Sequence, residues 1–111
     1  MLKTVIKAIN DKKGENIVTI DVSASSPICD YFVICSASNE RQLMAIANSI
    51  DDELNKEGFE IKSIEGKGSK WLLVDAKSII VHIFEKEERE KYNLEKLWGP
   101  FPVVDISGYL K

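Results

Sequence analysis

The stretch YFVICSASNERQLMAIANSIDDELNKEG, Tyr31 to Gly58, decides the fold. Its opening, Tyr31 to Ser36, is apolar on both faces and rich in strand formers, which predicts an interior strand. The period then changes. Ser38 or Asn39 can cap a helix, and Gln42, three residues beyond Asn39, is a capping-box partner. Leu43, Ile46, Ala47, Ile50 and Leu54 recur at helical spacing as one apolar stripe. Gly58 supplies a left-handed stop. A strand buried on both faces, followed by a helix with one apolar stripe, requires a sheet with helices packed on it.

The flanking segments supply that sheet. Leu2, Val5, Ile6 and Ile9 lie on one face of a first helix, which Gly14 is placed to end. Asn16 to Val22 alternates, with Val18, Ile20 and Val22 on one side and Ile17, Thr19 and Asp21 on the other, as in a half-buried strand near a sheet edge. Ser23 to Ile28 reads as loop. Phe59 to Ile64 alternates weakly as a strand, and Gly66 to Lys70 is a flexible loop. Trp71 to Val74 and Ser78 to Phe84 form a hairpin about the turn Asp75-Ala76-Lys77. The second of these, like Tyr31 to Ser36, is apolar on both faces. Glu87 to Trp98 is helical in composition, and Gly99, Pro100 and Pro102 end it. The order is α-β-β-α-β-β-β-α. A right-handed crossover through the long helix adds a parallel component, and the hairpin adds antiparallel pairing. This is an α/β (α+β) domain with a mixed β-sheet and flanking helices, covering residues 1–98, followed by a C-terminal tail over 99–111.

Composition limits what the domain does. The chain has 111 residues, 44% hydrophobic and 30% charged, enough for one core. No apolar run approaches the roughly 20 residues that cross a bilayer, and residues 1–10 lack a signal peptide's continuous apolar stretch. The expected compartment is the cytoplasm, with no membrane partner. Fifteen Lys and Arg against 18 Asp and Glu give a net charge of −3. That balance disfavours direct nucleic-acid binding, which rests on neutralising phosphates, and leaves basic proteins and small molecules open as partners. Cys29 and Cys35 read as small core residues.

The chemical motifs weigh against catalysis. His82 is the single histidine and lies mid-strand on the face of Ile80 and Phe84, as a packed, hydrogen-bonded histidine does. With no second ligand beside it, a metal site is not expected. Gly66-Lys67-Gly68-Ser69 lacks both the upstream glycine and the following helix of a phosphate-binding loop. Asp51, Asp52 and Glu53 point in different directions on a helix. Asp21 has no strand carboxylate two residues away to converge with it on magnesium. The charge run Glu85 to Lys91 reads as a solvated helix face. Trp98 follows Leu94 and Leu97 at helical spacing and reads as packing. Trp71 differs: it opens a strand beside a glycine-rich loop, its alternation partners Leu73 and Asp75 make no uniform core face, and it reads as an interface anchor.

Several runs, taken together, carry a resemblance. They are Asp30-Tyr31-Phe32-Val33-Ile34, Ser36-Ala37-Ser38, Arg41-Gln42, Ala45-Ile46-Ala47 and Glu65-Gly66. Further on come Trp71-Leu72-Leu73-Val74-Asp75, Val81-His82-Ile83-Phe84, Arg89, Tyr92, Leu94-Glu95-Lys96-Leu97-Trp98 and Val104-Asp105-Ile106-Ser107. In order and spacing the chain resembles the ribosomal silencing factors, the iojap-like family, from about residue 2 into the tail. Ala37 departs from the family's usual glycine. The resemblance implies a nucleotidyltransferase-like fold without its catalytic residues, hence no enzyme and no cofactor. It also implies a homodimer that binds the large ribosomal subunit through ribosomal protein fourteen, blocks joining of the small subunit, and represses translation when nutrients are scarce. The residues expected at the partner surface are Glu65, Trp71, Leu72, Leu73, Asp75, Arg89 and Tyr92. Two other readings stay open: a large-subunit assembly factor using the same surface, and a nucleotidyltransferase-like enzyme using nucleotide and magnesium.

Overall fold

The computed structural model describes residues 1–25, 27, 29–92 and 101–110, with Tyr92 through its backbone only. Helices α1 (Leu2–Asp11), α2 (Glu40–Lys56) and α3 (Lys86–Tyr92) accompany strands β1 (Glu15–Asp21), β2 (Tyr31–Ala37), β3 (Ser63–Glu65), β4 (Trp71–Asp75) and β5 (Ile79–Glu85). The expected continuation of the last helix through Trp98, its packing there, and its stop at Gly99 and Pro100 lie outside the described residues.

The long helix forms as its local signals require. Asn39 is the N-cap and its side chain accepts from the Gln42 N–H at 2.8 Å. The Gln42 side chain reaches one residue further back than a standard capping box, accepting from the Ser38 N–H at 2.6 Å. Its amide also donates to the Lys12 and Lys13 carbonyls, each at 3.0 Å, and so ties the start of α2 to the end of α1. At the other end the Phe59 N–H bonds to Leu54 O and the Gly58 N–H to Asn55 O, a Schellman closure with Gly58 at φ +84°. Asn39→Ala is expected to cost about 1 kcal/mol of stability, read as a lowered denaturation midpoint at unchanged slope.

The end of α1 departs from expectation. Lys13, not Gly14, takes the left-handed conformation, at φ 64°. Gly14 is needed for a steric reason instead, since a Cβ there would collide with Ile9 Cγ2.

Among the described residues the strands form one sheet in the order β1-β2-β5-β4-β3. The parallel pair is β2 with β5, and every other pair is antiparallel. The chain leaving β2 through α2 does not return beside β2. It enters at the far edge as β3, and the later strand β5 takes the place next to β2. The two strands that are apolar on both faces thus occupy the centre, where both faces are covered. The expected strand Phe59 to Ile64 shrinks to Ser63–Glu65, because the chain leaving the helix is still turning at Phe59, which is 41% exposed.

Strand alternation divides the side chains between two faces. Val33, Cys35 and Ala37 of β2, Leu72 and Val74 of β4, and Ile79, Val81 and Ile83 of β5 pack beneath α1 and α2. All five residues of the predicted α2 stripe are fully buried there. The opposite face carries a smaller cluster of Ile20, Val22, Cys29, Ile34 and Phe84, flanked by Val18, Phe32, Trp71, Ile80 and Phe101.

β1 is an edge strand, as expected, but it is not solvated on one face. Thr19 is fully buried and Ile17 packs on the helix-side core. Its outer side is lined by residues after Phe101: the Asp21 N–H bonds to Pro102 O at 2.9 Å and the Val104 N–H to Thr19 O at 2.8 Å. Ile106 and Tyr109 then pack against the helix-side core.

Candidate partner-binding face

β4 reads Trp71-Leu72-Leu73-Val74-Asp75, and a strand sends alternate side chains to opposite faces. Leu72 and Val74 go under α1 and α2, while Trp71, Leu73 and Asp75 lie on the opposite face of the sheet. Antiparallel pairing sets Trp71 opposite Phe84 and Leu73 opposite His82, and on the other flank Glu65 opposite Leu73. Parallel pairing brings Phe32 of β2 beside Ile80.

The result is an aromatic cluster drawn from three strands. Trp71 stacks on Phe84 with centroids 4.8 Å apart and a 24° interplanar angle. Its indole Nε1–H donates to His82 Nδ1 at 3.2 Å. Phe32 meets His82 edge-on at 5.6 Å. Trp71, Phe32, Leu73 and His82 are half-buried, so the cluster presents part of its apolar surface outward. Large apolar groups left partly exposed on a sheet face suit burial against a partner.

The glycine-rich loop fixes where Trp71 begins and carries hydrogen bonds of its own. Ser69 Oγ lies 2.6 Å from the Gly66 carbonyl and 2.8 Å from the Trp71 carbonyl, and the Ser69 N–H bonds to Gly66 O at 3.0 Å. Gly66, at φ +92°, admits no side chain, because a Cβ would collide with the Trp71 carbonyl oxygen. A strand follows this loop, as expected, so its N–H groups do not open a helix toward a phosphate.

The structure separates the expected partner-binding residues. Trp71, Leu73, Asp75 and Glu65 share the open face. Asp75 Oδ1 also accepts from the Lys77 N–H at 2.9 Å and closes the β4–β5 turn, where Lys77 is left-handed. Leu72 is 1% exposed and belongs to the core under α1 and α2, so it has no surface to offer a partner. Arg89 is not a solvated residue of a charged face. Its guanidinium donates to Asn16 O at 2.6 Å and to Ser36 Oγ at 2.8 Å, tying α3 to the ends of β1 and β2. Tyr92 ends α3, and its side chain lies outside the described residues. Phe32 and His82 are the members of the face that the sequence reading did not assign to it. The signal for His82 was its placement with Ile80 and Phe84 on one side of a strand; Phe32 comes beside it only through the pairing of β2 with β5.

The ionisable groups are set by burial and hydrogen bonding. Burial pulls the His82 pKa down from 6.5 to about 4, which keeps the ring neutral and able to accept from the indole. Burial raises the Cys35 thiol to about 12, and both cysteines are buried core residues, as expected. Asp21 bonds to Ser23 Oγ and N–H, and this holds its carboxyl below the ordinary value. No cluster of three His, Cys, Asp or Glu side chains able to hold a metal occurs among the described residues.

The His82 shift has a measurable consequence. The unfolded chain binds a proton near pH 6.5, whereas the folded one does so only near pH 4. Stability is therefore complete above that window and falls as pH drops through it, by up to about 3 kcal/mol at 1.36 kcal/mol per pH unit. Denaturation series at pH 7 and pH 4.5 should show the loss, and His82→Phe should flatten it. Asp21 and Asp105, both held low by serine hydrogen bonds, respond only at lower pH.

Comparison with known proteins gives this face its context. The family model described as "Ribosomal silencing factor during starvation" matches residues 1–111. A Bacillus subtilis protein named ribosomal silencing factor RsfS is 41% identical over 96% of this chain and 92% of its own. Its Halalkalibacterium halodurans namesake is 40% identical over 99% and 95%. A mouse relative named "Mitochondrial assembly of ribosomal large subunit protein 1" is 33% identical over 85% of this chain and 43% of its own. A solved structure from Chromobacterium violaceum superposes with a TM-score of 0.84 at 34% identity, covering 88% of this chain and 82% of that one. With the whole length matched by the family model, and the same fold seen in a relative of comparable identity, the chain belongs to the ribosomal silencing factor family.

Proposed function

We propose that the protein is a translation repressor that docks on the large ribosomal subunit through its open sheet face. Trp71 is the anchor, and ribosomal protein fourteen is the surface it meets. Bound there, it excludes the small subunit, since two bodies cannot occupy one interface, and translation falls when nutrients are scarce. Glu65 and Asp75, on the same face as Trp71 and Leu73, face basic side chains of the partner. In the absence of ribosomes the protein is a cytoplasmic homodimer. Steric exclusion needs no catalysis and no cofactor.

The observation that carries this reading is the half-exposed aromatic cluster of Trp71, His82 and Phe32 on the one sheet face that α1 and α2 do not cover, in a chain of this family. The acidic balance supports a basic protein surface over bare RNA, because complementary charge steers and orients docking. The name of the mouse relative favours a second reading, action during large-subunit assembly, which uses the same face.

Sedimentation of lysate through a sucrose gradient tests both. The protein is expected with free large subunits and not with intact ribosomes. Restriction to polysomes, or to the top of the gradient, contradicts the proposal. Restriction to immature large particles selects the assembly reading.

A further inference from the structure

Two of the contacts that hold the indole of Trp71 differ in kind. Stacking on Phe84 at 4.8 Å fixes the plane of the ring but leaves rotation and sliding within that plane. The bond from Nε1–H to His82 Nδ1, 3.2 Å long, is a directional contact and fixes the ring's angle within the plane. On the β2 side His82 meets Phe32 in a T-shaped contact at 5.6 Å.

The two residues are diagonal neighbours across β4 and β5: Trp71 pairs with Phe84, and Leu73 with His82. An aromatic side chain spans that diagonal. An indole N–H only donates, so the histidine nitrogen facing it is the unprotonated acceptor, and the ring's proton is on Nε2. The β-strand residues paired with His82 are Ile34 and Leu73, so neither direct cross-strand neighbour is charged.

From this geometry we propose that His82 is the positioning residue for Trp71, presetting the orientation in which the indole meets its partner. The proposal rests on the reading of this face as the docking surface. An indole already oriented does not have to be immobilised on binding, and such preorganisation raises affinity without any added contact. This also explains why a histidine stands in an apolar strand: the position requires an uncharged acceptor at the depth of Nδ1.

The test uses two substitutions of His82 in the full chain, with purified large ribosomal subunits as the binding probe. His82→Leu removes the acceptor and keeps the bulk at Cβ and Cγ. His82→Asn places Oδ1 where Nδ1 stands. The leucine variant is expected to bind about tenfold more weakly, and the asparagine variant to within about twofold of the wild type. In nitrogen-15 spectra the Trp71 indole proton, assigned by its absence in Trp71→Phe, should exchange slowly in the wild type and in the asparagine variant and fast in the leucine variant. Chemical denaturation of each variant separates these effects from unfolding. Equal affinities for the leucine and asparagine variants, or an indole proton that exchanges fast in the wild type, would overturn the proposal. If Trp71→Ala binds as the wild type does, the docking reading fails with it, while the indole proton still reports whether His82 holds the ring.

Discussion

Replacing Trp71 by alanine is expected to weaken binding to the large ribosomal subunit about a hundredfold while leaving the domain folded. Buried tryptophan anchors at interfaces cost about 2–4 kcal/mol when truncated, and 2.7 kcal/mol corresponds to a factor of about a hundred in Kd. The stability cost is smaller, because Trp71 is half-buried and lies on the open face. It stacks on Phe84, and an aromatic pair of this kind is worth roughly 0.5–1.5 kcal/mol beyond area burial. Denaturation and titration of the same variant separate the two quantities. Normal binding by Trp71→Ala, or loss of binding that only follows unfolding, contradicts the assignment of Trp71 as anchor.

Leu72→Ala is expected to give the opposite result from the adjacent position. Leu72 is fully buried between the sheet and the helices, alongside Val74, Val81 and Ile83. Truncating a core leucine removes transfer free energy and leaves a cavity, at a cost of about 2–5 kcal/mol. The fraction of Leu72→Ala that remains folded should bind the large subunit within about twofold of the wild type. Denaturation midpoints show the first effect, and affinity corrected for folded fraction shows the second. Two neighbouring residues with reversed effects are what strand alternation requires. A Leu72→Ala that keeps its stability and loses affinity would place the partner on the other side of the sheet.

Legibility in the sequence followed the range of the interactions involved. The helix Glu40–Lys56 was readable in full, because its cap at Asn39, its apolar stripe and its stop at Gly58 are each decided within a few residues. The strands were readable as segments, and Tyr31 to Ser36 and Ser78 to Phe84 as interior ones. Their pairing was not readable: β2 and β5 lie more than forty residues apart in sequence, and no local signal places them side by side. Phe59 to Ile64 was overextended because weak alternation cannot show that the backbone is still leaving a helix stop.

The face was legible through one residue. Trp71 was singled out because its alternation partners make no core face, and the structure places it with Leu73, Asp75 and Glu65. The contiguous run Trp71-Leu72-Leu73 includes Leu72, which the same alternation turns to the core. Arg89 was obscured by its charged neighbours. Only the fold brings Asn16 O and Ser36 Oγ to its guanidinium, 73 and 53 residues away along the chain. Phe32 and His82 join the face through sheet pairing, which composition does not reveal.

The most direct test of steric exclusion is the association of purified small and large ribosomal subunits, followed by light scattering, with the protein added at increasing concentration. Preincubating the large subunit with the wild-type protein is predicted to abolish the association signal at saturation, whereas preincubating the small subunit alone does not. Trp71→Ala should require about a hundredfold more protein for the same effect. Association that proceeds unchanged while the wild-type protein is bound to the large subunit would contradict the account.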